Sequence, residues 1–196
     1  MDLDHYDRRW ADMVARGESV HGEIDFIERT VAGAAVDLLD AGCGTGRLAI
    51  EAHRRGHRCV GVDLDRDMID RARAKAPSLE WHRADLATVD LERAFDVVVM
   101  AGNIPLFCAP GIQAAIVANL ARHLRVGGRL ICGFSLEDGP DAYRVADLRR
   151  DAEHAGLILE SVHPAWDAPR LSAGSSANAD AVLDGYAVVV CRRESG

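Results

Sequence analysis

The heptapeptide Asp40-Ala41-Gly42-Cys43-Gly44-Thr45-Gly46 is the segment of this chain best suited to hold a ligand. Gly42 and Gly44 let the backbone turn tightly and let a bound group approach where a Cβ would stand in the way. Gly46 lets a following helix pack close to the preceding strand. Asp63 stands 21 residues beyond Gly42, where a carboxylate can accept both hydroxyls of a ribose. Leu64 and Met68 beside it offer apolar surface to a flat heterocycle. Asp85-Leu86 adds a second carboxylate and a backbone N–H. That carboxylate can accept from an exocyclic amino group, or it can cap a loop. Together these residues describe a crevice for an adenosine-like ligand.

Such residues converge only if regular elements carry them to one edge. Residues 36–41 form a short apolar run, read as a buried strand that ends in the glycine cluster. Residues 45–55 follow with helical spacing and stop at Gly56. The alternation repeats: strand 58–64, then a helix capped by Asp65 and stopped by Pro77. Strands at 79–86 and 95–101 come next, then a helix over 111–124 ending at Gly127-Gly128. A strand at 129–134, a helix over 141–155 and strands at 157–163 and 186–191 close the chain. Strands alternating with helical segments argue for an α/β fold, a mostly parallel sheet with helices on both faces. No helix separates the last two strands, so they are expected to be antiparallel. Residues 1–33 read as one or two short helices.

The successive motifs D-A-G-C-G-T-G, V-G-V-D-L-D, R-A-D-L, F-D-V-V-V-M-A-G-N and L-R-V-G-G-R-L-I-C-G-F resemble those of class I S-adenosylmethionine-dependent methyltransferases. The resemblance spans about residues 36–135. It implies a Rossmann-like, seven-stranded, mostly parallel sheet with the last strand antiparallel. It also implies S-adenosyl-L-methionine as cofactor. Asp40 would match the acidic residue that opens the glycine motif, and Gly42, Cys43, Gly44 and Gly46 the loop that cradles the methionine portion. Asp63 would hold the ribose, and Asp85-Leu86 would read the adenine between Leu64 and Met68. The backbone at Ala101-Gly102-Asn103 would lie near the cofactor's ammonium group.

An NAD-dependent oxidoreductase shares the strand, glycine loop, helix and acid. Its fingerprint asks for glycine or alanine three residues beyond Gly44, where this chain has Arg47. A non-catalytic protein that binds S-adenosylmethionine or S-adenosylhomocysteine is the other alternative. Methyl transfer to a good nucleophile needs in-line placement more than a catalytic group, and a base only if the acceptor must lose a proton. No catalytic residue is therefore assigned. Asn103-Ile104-Pro105-Leu106 is similar to the N-P-P-Y tetrapeptide of amino-nitrogen methylating enzymes, but Ile104 and Leu106 depart from it. His5, Tyr6, Trp10, His21, His163 and Trp166 fall in segments that often cover the active site in that family. A histidine among them could act as a base near neutral pH.

A chain of 196 residues suits one domain. It divides into an N-terminal helical cover over 1–33, a cofactor-binding core over 36–135 and an acceptor-side segment over 141–196, with 164–185 a lid or a loop. The formal net charge is −8, which disfavours nucleic acid and leaves a small molecule as the expected acceptor. The five cysteines form no C-x-x-C pair, which argues for reduced thiols without a metal site. No run approaches the ~18 apolar residues of a membrane span. A cytoplasmic protein, monomer or homodimer, is the expectation.

Overall fold

A computed structural model describes residues 12, 15, 16, 21–109, 111–136, 139, 142–172, 175, 176 and 179–195. His5, Tyr6 and Trp10 lie outside the described residues. The elements run α1 (Gly22–Thr30), β1 (Asp37–Ala41), α2 (Arg47–Arg54), β2 (Arg58–Asp63), α3 (Arg66–Lys75), β3 (Glu80–Arg83) and β4 (Phe95–Met100). They continue with α4 (Ile104–Phe107), α5 (Gln113–Arg122), β5 (Leu124–Ser135), α6 (Val145–His154), β6 (Leu157–His163), α7 (Ala179–Val182) and β7 (Tyr186–Arg193).

The seven strands form one sheet in the order β3-β2-β1-β4-β5-β7-β6. β3, β2, β1, β4 and β5 are parallel neighbours. β7 is antiparallel to both β5 and β6, so the last strand slots between them. Successive strand residues point to opposite faces. Leu38, Val97, Val99, Ile131, Val188 and Val190 pack beneath α1, α2 and α3, which contribute Ile24, Phe26, Ile27, Leu48, Ala49, Ala52 and Ile69. Leu39, Val98, Met100, Leu130, Cys132 and Val189 face the other way, against Ile116, Val117 and Leu120 of α5 and Leu148 and Ala152 of α6. Both faces being covered explains why these strands read as continuous apolar runs.

Boundaries moved where backbone geometry overrides spacing. Helix α2 starts at Arg47 because Gly46 sits at φ 85°, outside helical space. Strand β5 begins at Leu124, upstream of the expected 129, and carries Gly127-Gly128 inside a register shift against β4. A Cβ on Gly128 would come within 2.9 Å of the Arg125 carbonyl oxygen, so the irregularity needs glycine there. A short helix, α7, lies within the 164–185 stretch expected to be a lid or a loop, and another, α4, follows β4.

Candidate functional site

The parallel strands all end on one edge, and β1, β2 and β4 deliver the glycine loop, Asp63 and Ala101 to it. Strand order reverses between β1 and β4, the place where α/β sheets open a ligand crevice. Gly42, Gly44 and Gly46 have φ of 81°, 54° and 85°, a conformation costly for any residue with a Cβ. The N–H groups of Gly42 and Cys43 both donate to the Val62 carbonyl, at 2.8 and 3.0 Å. Gly46 N–H donates to the Cys43 carbonyl at 2.9 Å. Gly44 N–H donates to Asp63 Oδ2 at 2.8 Å, while Asp63 Oδ1 accepts from Asp65 N–H at 2.9 Å. Asp63 is thereby fixed at the mouth of the loop. A carboxylate has about four lone-pair sites, so two backbone donors leave capacity for hydroxyls. Leu64, 66% exposed, presents an apolar side chain next to it.

Asp40 is buried, and its Oδ2 accepts from Ala49 N–H in the first turn of α2 at 3.2 Å. Burial pushes its carboxyl up to about 7, against the pull of the Ala49 N–H and of Arg47. Cys43 turns its thiol into the core, where burial raises its pKa. Only its backbone belongs to the loop surface. Met68 is half-buried on α3, whose first turn is capped by Asp65, as the sequence suggests. Asp85 is exposed and accepts from Ala87 N–H at 2.8 Å, a loop-capping contact. Leu86 is buried and its carbonyl accepts from Asn119 Nδ2. Asn103 adopts φ 69° and its Oδ1 accepts from Ser135 N–H at 2.8 Å, pinning the end of β4 to the end of β5. Ile104 lies on Gly42, where an added Cβ would meet its Cδ1 at 2.2 Å.

Two residues that the motif reading passed over, Trp81 and Phe26, and one that it named, Trp166, shape this edge. Trp81 fills the space under the loop, where a Cβ on Gly46 or Gly61 would meet its ring at 2.5 or 2.3 Å. Trp166 packs on Gly133, and its Nε1–H donates to the Tyr186 hydroxyl at 3.1 Å. Glycines inside strands, Gly61 and Gly133, were the available signal, since they mark close approach of another group. Phe26 of α1 meets the rings of His163 and Trp166 edge-on at 4.8 and 5.6 Å. His163 is held by Ser161 Oγ at Nε2 and by the Ala168 carbonyl at Nδ1. Burial lowers its pKa, so the neutral ring donates from Nδ1 and accepts at Nε2. Both nitrogens are engaged in packing this corner. Among the described residues, no cluster of three metal-ligating side chains occurs, and no helix is long and apolar enough to cross a membrane.

A carboxylate fixed beside a glycine loop at the switch point is an arrangement able to take an adenosine ligand. Its loop donors are turned inward: four N–H groups are spent on Val62, Asp63 and Cys43, and Asp40 takes a fifth at the start of α2. A pyrophosphate draws on free N–H donors of such a loop and helix start. The arrangement disfavours a dinucleotide.

Comparison with known proteins agrees. Residues 38–128 match the family model described as a methyltransferase domain. The TehB-like S-adenosylmethionine-dependent methyltransferase of Corynebacterium glutamicum is 31% identical, with a TM-score of 0.81 over 97% of each chain. This chain belongs to the S-adenosylmethionine-dependent methyltransferases. The dTDP-3-amino-3,4,6-trideoxy-alpha-D-glucopyranose N,N-dimethyltransferase of Streptomyces venezuelae is 29% identical over 168 residues, 82% of this chain and 71% of that protein. A sugar N-methyltransferase of Streptoalloteichus shares the fold, with a TM-score of 0.74 at 20% identity over 100% of this chain and 94% of that one. Several other curated relatives are matched over about half their length or less.

Proposed function

We propose that this enzyme methylates a small-molecule acceptor at the edge formed by the ends of β1, β4 and β5. The cofactor, S-adenosylmethionine, supplies an already activated methyl on a sulfonium. Asp63 binds the ribose, and the Gly42–Gly46 backbone carries the methionine portion. Leu64 and Met68 flank the adenine, near Asp85 and Leu86. Ala101 and Asn103 border the cofactor's ammonium group, with α1 and residues 164–172 closing the acceptor side within a single domain. Asp40 supports the loop from below and does not touch the ligand.

The observation that carries this reading is the Gly44 N–H to Asp63 bond, which couples the ribose-binding group to the loop. The acceptor class rests on charge: a chain of net −8 with Asp63, Asp65 and Asp85 around the crevice repels a phosphate backbone. Similarity to an amino-sugar methyltransferase points the same way. An amine acceptor in its neutral form attacks the methyl carbon directly and loses its proton to solvent afterwards. Such an acceptor suits a corner whose histidine, His163, is neutral and fully engaged.

The test is turnover with a panel of amino sugars, other small amines, hydroxy and carboxy acids, RNA and protein, read as S-adenosylhomocysteine release. Turnover confined to RNA or protein would overturn the acceptor class. For the site, Asp63→Ala is expected to weaken S-adenosylhomocysteine binding by at least about tenfold in calorimetry, the scale of a lost charge-assisted hydrogen bond. An unchanged affinity in the folded variant would remove Asp63 from the site.

A further inference from the structure

Strand β6 is an edge of the sheet, and the chain that leaves it folds back along its free side. Leu171 N–H donates to the Val162 carbonyl at 2.8 Å, which fixes Arg170 and Ser172 beside the strand. Ser176 N–H donates to the Ser172 carbonyl at 2.8 Å, and Ser172 Oγ donates to Ser175 Oγ at 3.0 Å, so the following turn is tied to itself. Between this turn, β6 and α6 lies a cavity of about 430 Å³, lined by Arg149, Glu160, Ser161, Arg170, Ser172 and Ser176 among others. No residue of the glycine loop lines it, nor do Asp63 or Asp85.

Charge in this cavity runs against that of the chain. Its one carboxylate, Glu160, accepts from Arg129 Nε and Nη2 at 2.7 and 2.9 Å, and this pair holds its pKa below the ordinary value. Asp180, close by, is spent on the start of α6, where it accepts from Val145 and Ala146 N–H at 2.8 and 2.9 Å. Arg149 gives Nε to Glu153 at 2.8 Å, an exposed pair that water screens, and its Nη groups have no partner among the described residues. Arg170 meets no hydrogen-bond or ion-pair partner among the described residues, and its charge reaches His163. A chain with 31 acidic and 23 basic residues thus borders one cavity with two guanidiniums and a single, neutralised carboxylate. Like charges so placed repel, and an anion between them turns that repulsion into attraction. A guanidinium fork takes phosphate oxygens two at a time, and the Ser176 hydroxyl adds a neutral donor. The volume falls in the range of small-molecule sites.

We propose that this cavity is a second ligand site, apart from the cofactor crevice, which takes a phosphate group, free or carried on a small molecule, between Arg149 and Arg170. It requires neither the methyl donor nor the acceptor proposed above. Arg170 and Ser172 belong to the returning chain and Arg149 to α6, so a phosphate held between them ties that chain to the body of the fold.

Calorimetry on the full chain at fixed ionic strength tests this, with glucose 1-phosphate, inorganic phosphate and glucose as probes. At least one of the two phosphates is expected to bind with a Kd of about 1 mM or tighter, and glucose is not. Arg149→Gln and Arg170→Gln should each weaken that binding by at least about fivefold. Arg66→Gln removes the same charge from α3, at the β3 end of the sheet, and should change it by less than about twofold. Tighter binding of the sugar phosphate assigns the site to phosphate esters, and equal affinity assigns it to the free ion; either supports the site. Failure of both phosphates to bind at about 10 mM would overturn it. So would equal losses in Arg66→Gln and Arg170→Gln, which would make the effect one of net charge. Displacement of the phosphate by saturating S-adenosylhomocysteine would place it in the crevice and overturn the site as well. Failure of S-adenosylhomocysteine itself to bind would count against the cofactor placement alone.

Discussion

Asp40, the residue that opens the glycine motif, is buried at the end of β1. Its carboxylate receives Ala49 N–H at the start of α2, where the helix dipole favours negative charge. Burial works against that and lifts its pKa from 3.8 to about 7. The folded state thus keeps a proton that the unfolded chain releases above its ordinary value near 3.8. Stability contributed by this group is present below that value and declines as pH rises towards 7, then levels off. Asp40→Asn keeps an acceptor for Ala49 but has no charge to bury. It should gain stability relative to the unaltered protein between pH 5 and pH 8, by at most about 4 kcal/mol. Chemical denaturation at several pH values checks this. A difference that does not change with pH would show that Asp40 is ionised in the folded protein throughout.

At the scale of elements, Asn103 joins β4 to α4 and sets the edge beside the loop. Its positive φ turns the chain, its N–H donates to the Gly133 carbonyl, and its Oδ1 holds Ser135 N–H. These are separable by substitution. Asn103→Gly keeps the turn and loses the side-chain bond; Asn103→Ala loses both. Leaving Ser135 N–H without its acceptor costs about 1–3 kcal/mol, and alanine at positive φ adds about 1–2 kcal/mol. Thermal unfolding should therefore rank the unaltered protein above Asn103→Gly, and Asn103→Ala last. Equal melting of the two variants would mean the turn tolerates a Cβ. Asn103 was legible as the residue that follows the fourth strand, but not as a pin, because Ser135 is brought to it only by the pairing of β4 with β5. Trp81 was illegible for the same reason: its ring fills a space made by Gly46 and Gly61 from two other elements. By contrast, the strands were legible because burial on both faces leaves continuous apolar runs such as Val97-Val98-Val99. Asp65 was legible because capping is local. Position in sequence revealed what neighbours decide; it could not reveal what the assembled sheet decides.

For the whole molecule, the sheet concentrates charge at one edge. Asp63, Asp65 and Asp85 lie at or just beyond the ends of β2 and β3, where Lys75 also donates to Thr45 Oγ1 and Arg83 to the Leu64 carbonyl, in a chain of net charge −8. The opposite edge is balanced locally: Arg58 and Arg125 pair with Asp37, Arg125 also with Asp96, and Arg93 with Glu80. A net negative field at the crevice would favour a cationic ligand over a neutral one of the same shape. S-Adenosylmethionine carries a sulfonium, and its demethylated product does not. Salt screens such interactions over about 10 Å at 0.1 M ionic strength. Raising salt from about 20 to 300 mM should weaken S-adenosylmethionine binding severalfold while leaving S-adenosylhomocysteine binding within about twofold. Calorimetry with both ligands across that range measures the difference. Parallel salt dependence would mean that the crevice does not sense the sulfonium, and that discrimination between cofactor and product arises from contacts at the methyl alone. A divergent dependence would place part of the product's release in the loss of that charge, since each transfer turns a ligand the edge attracts into one it does not.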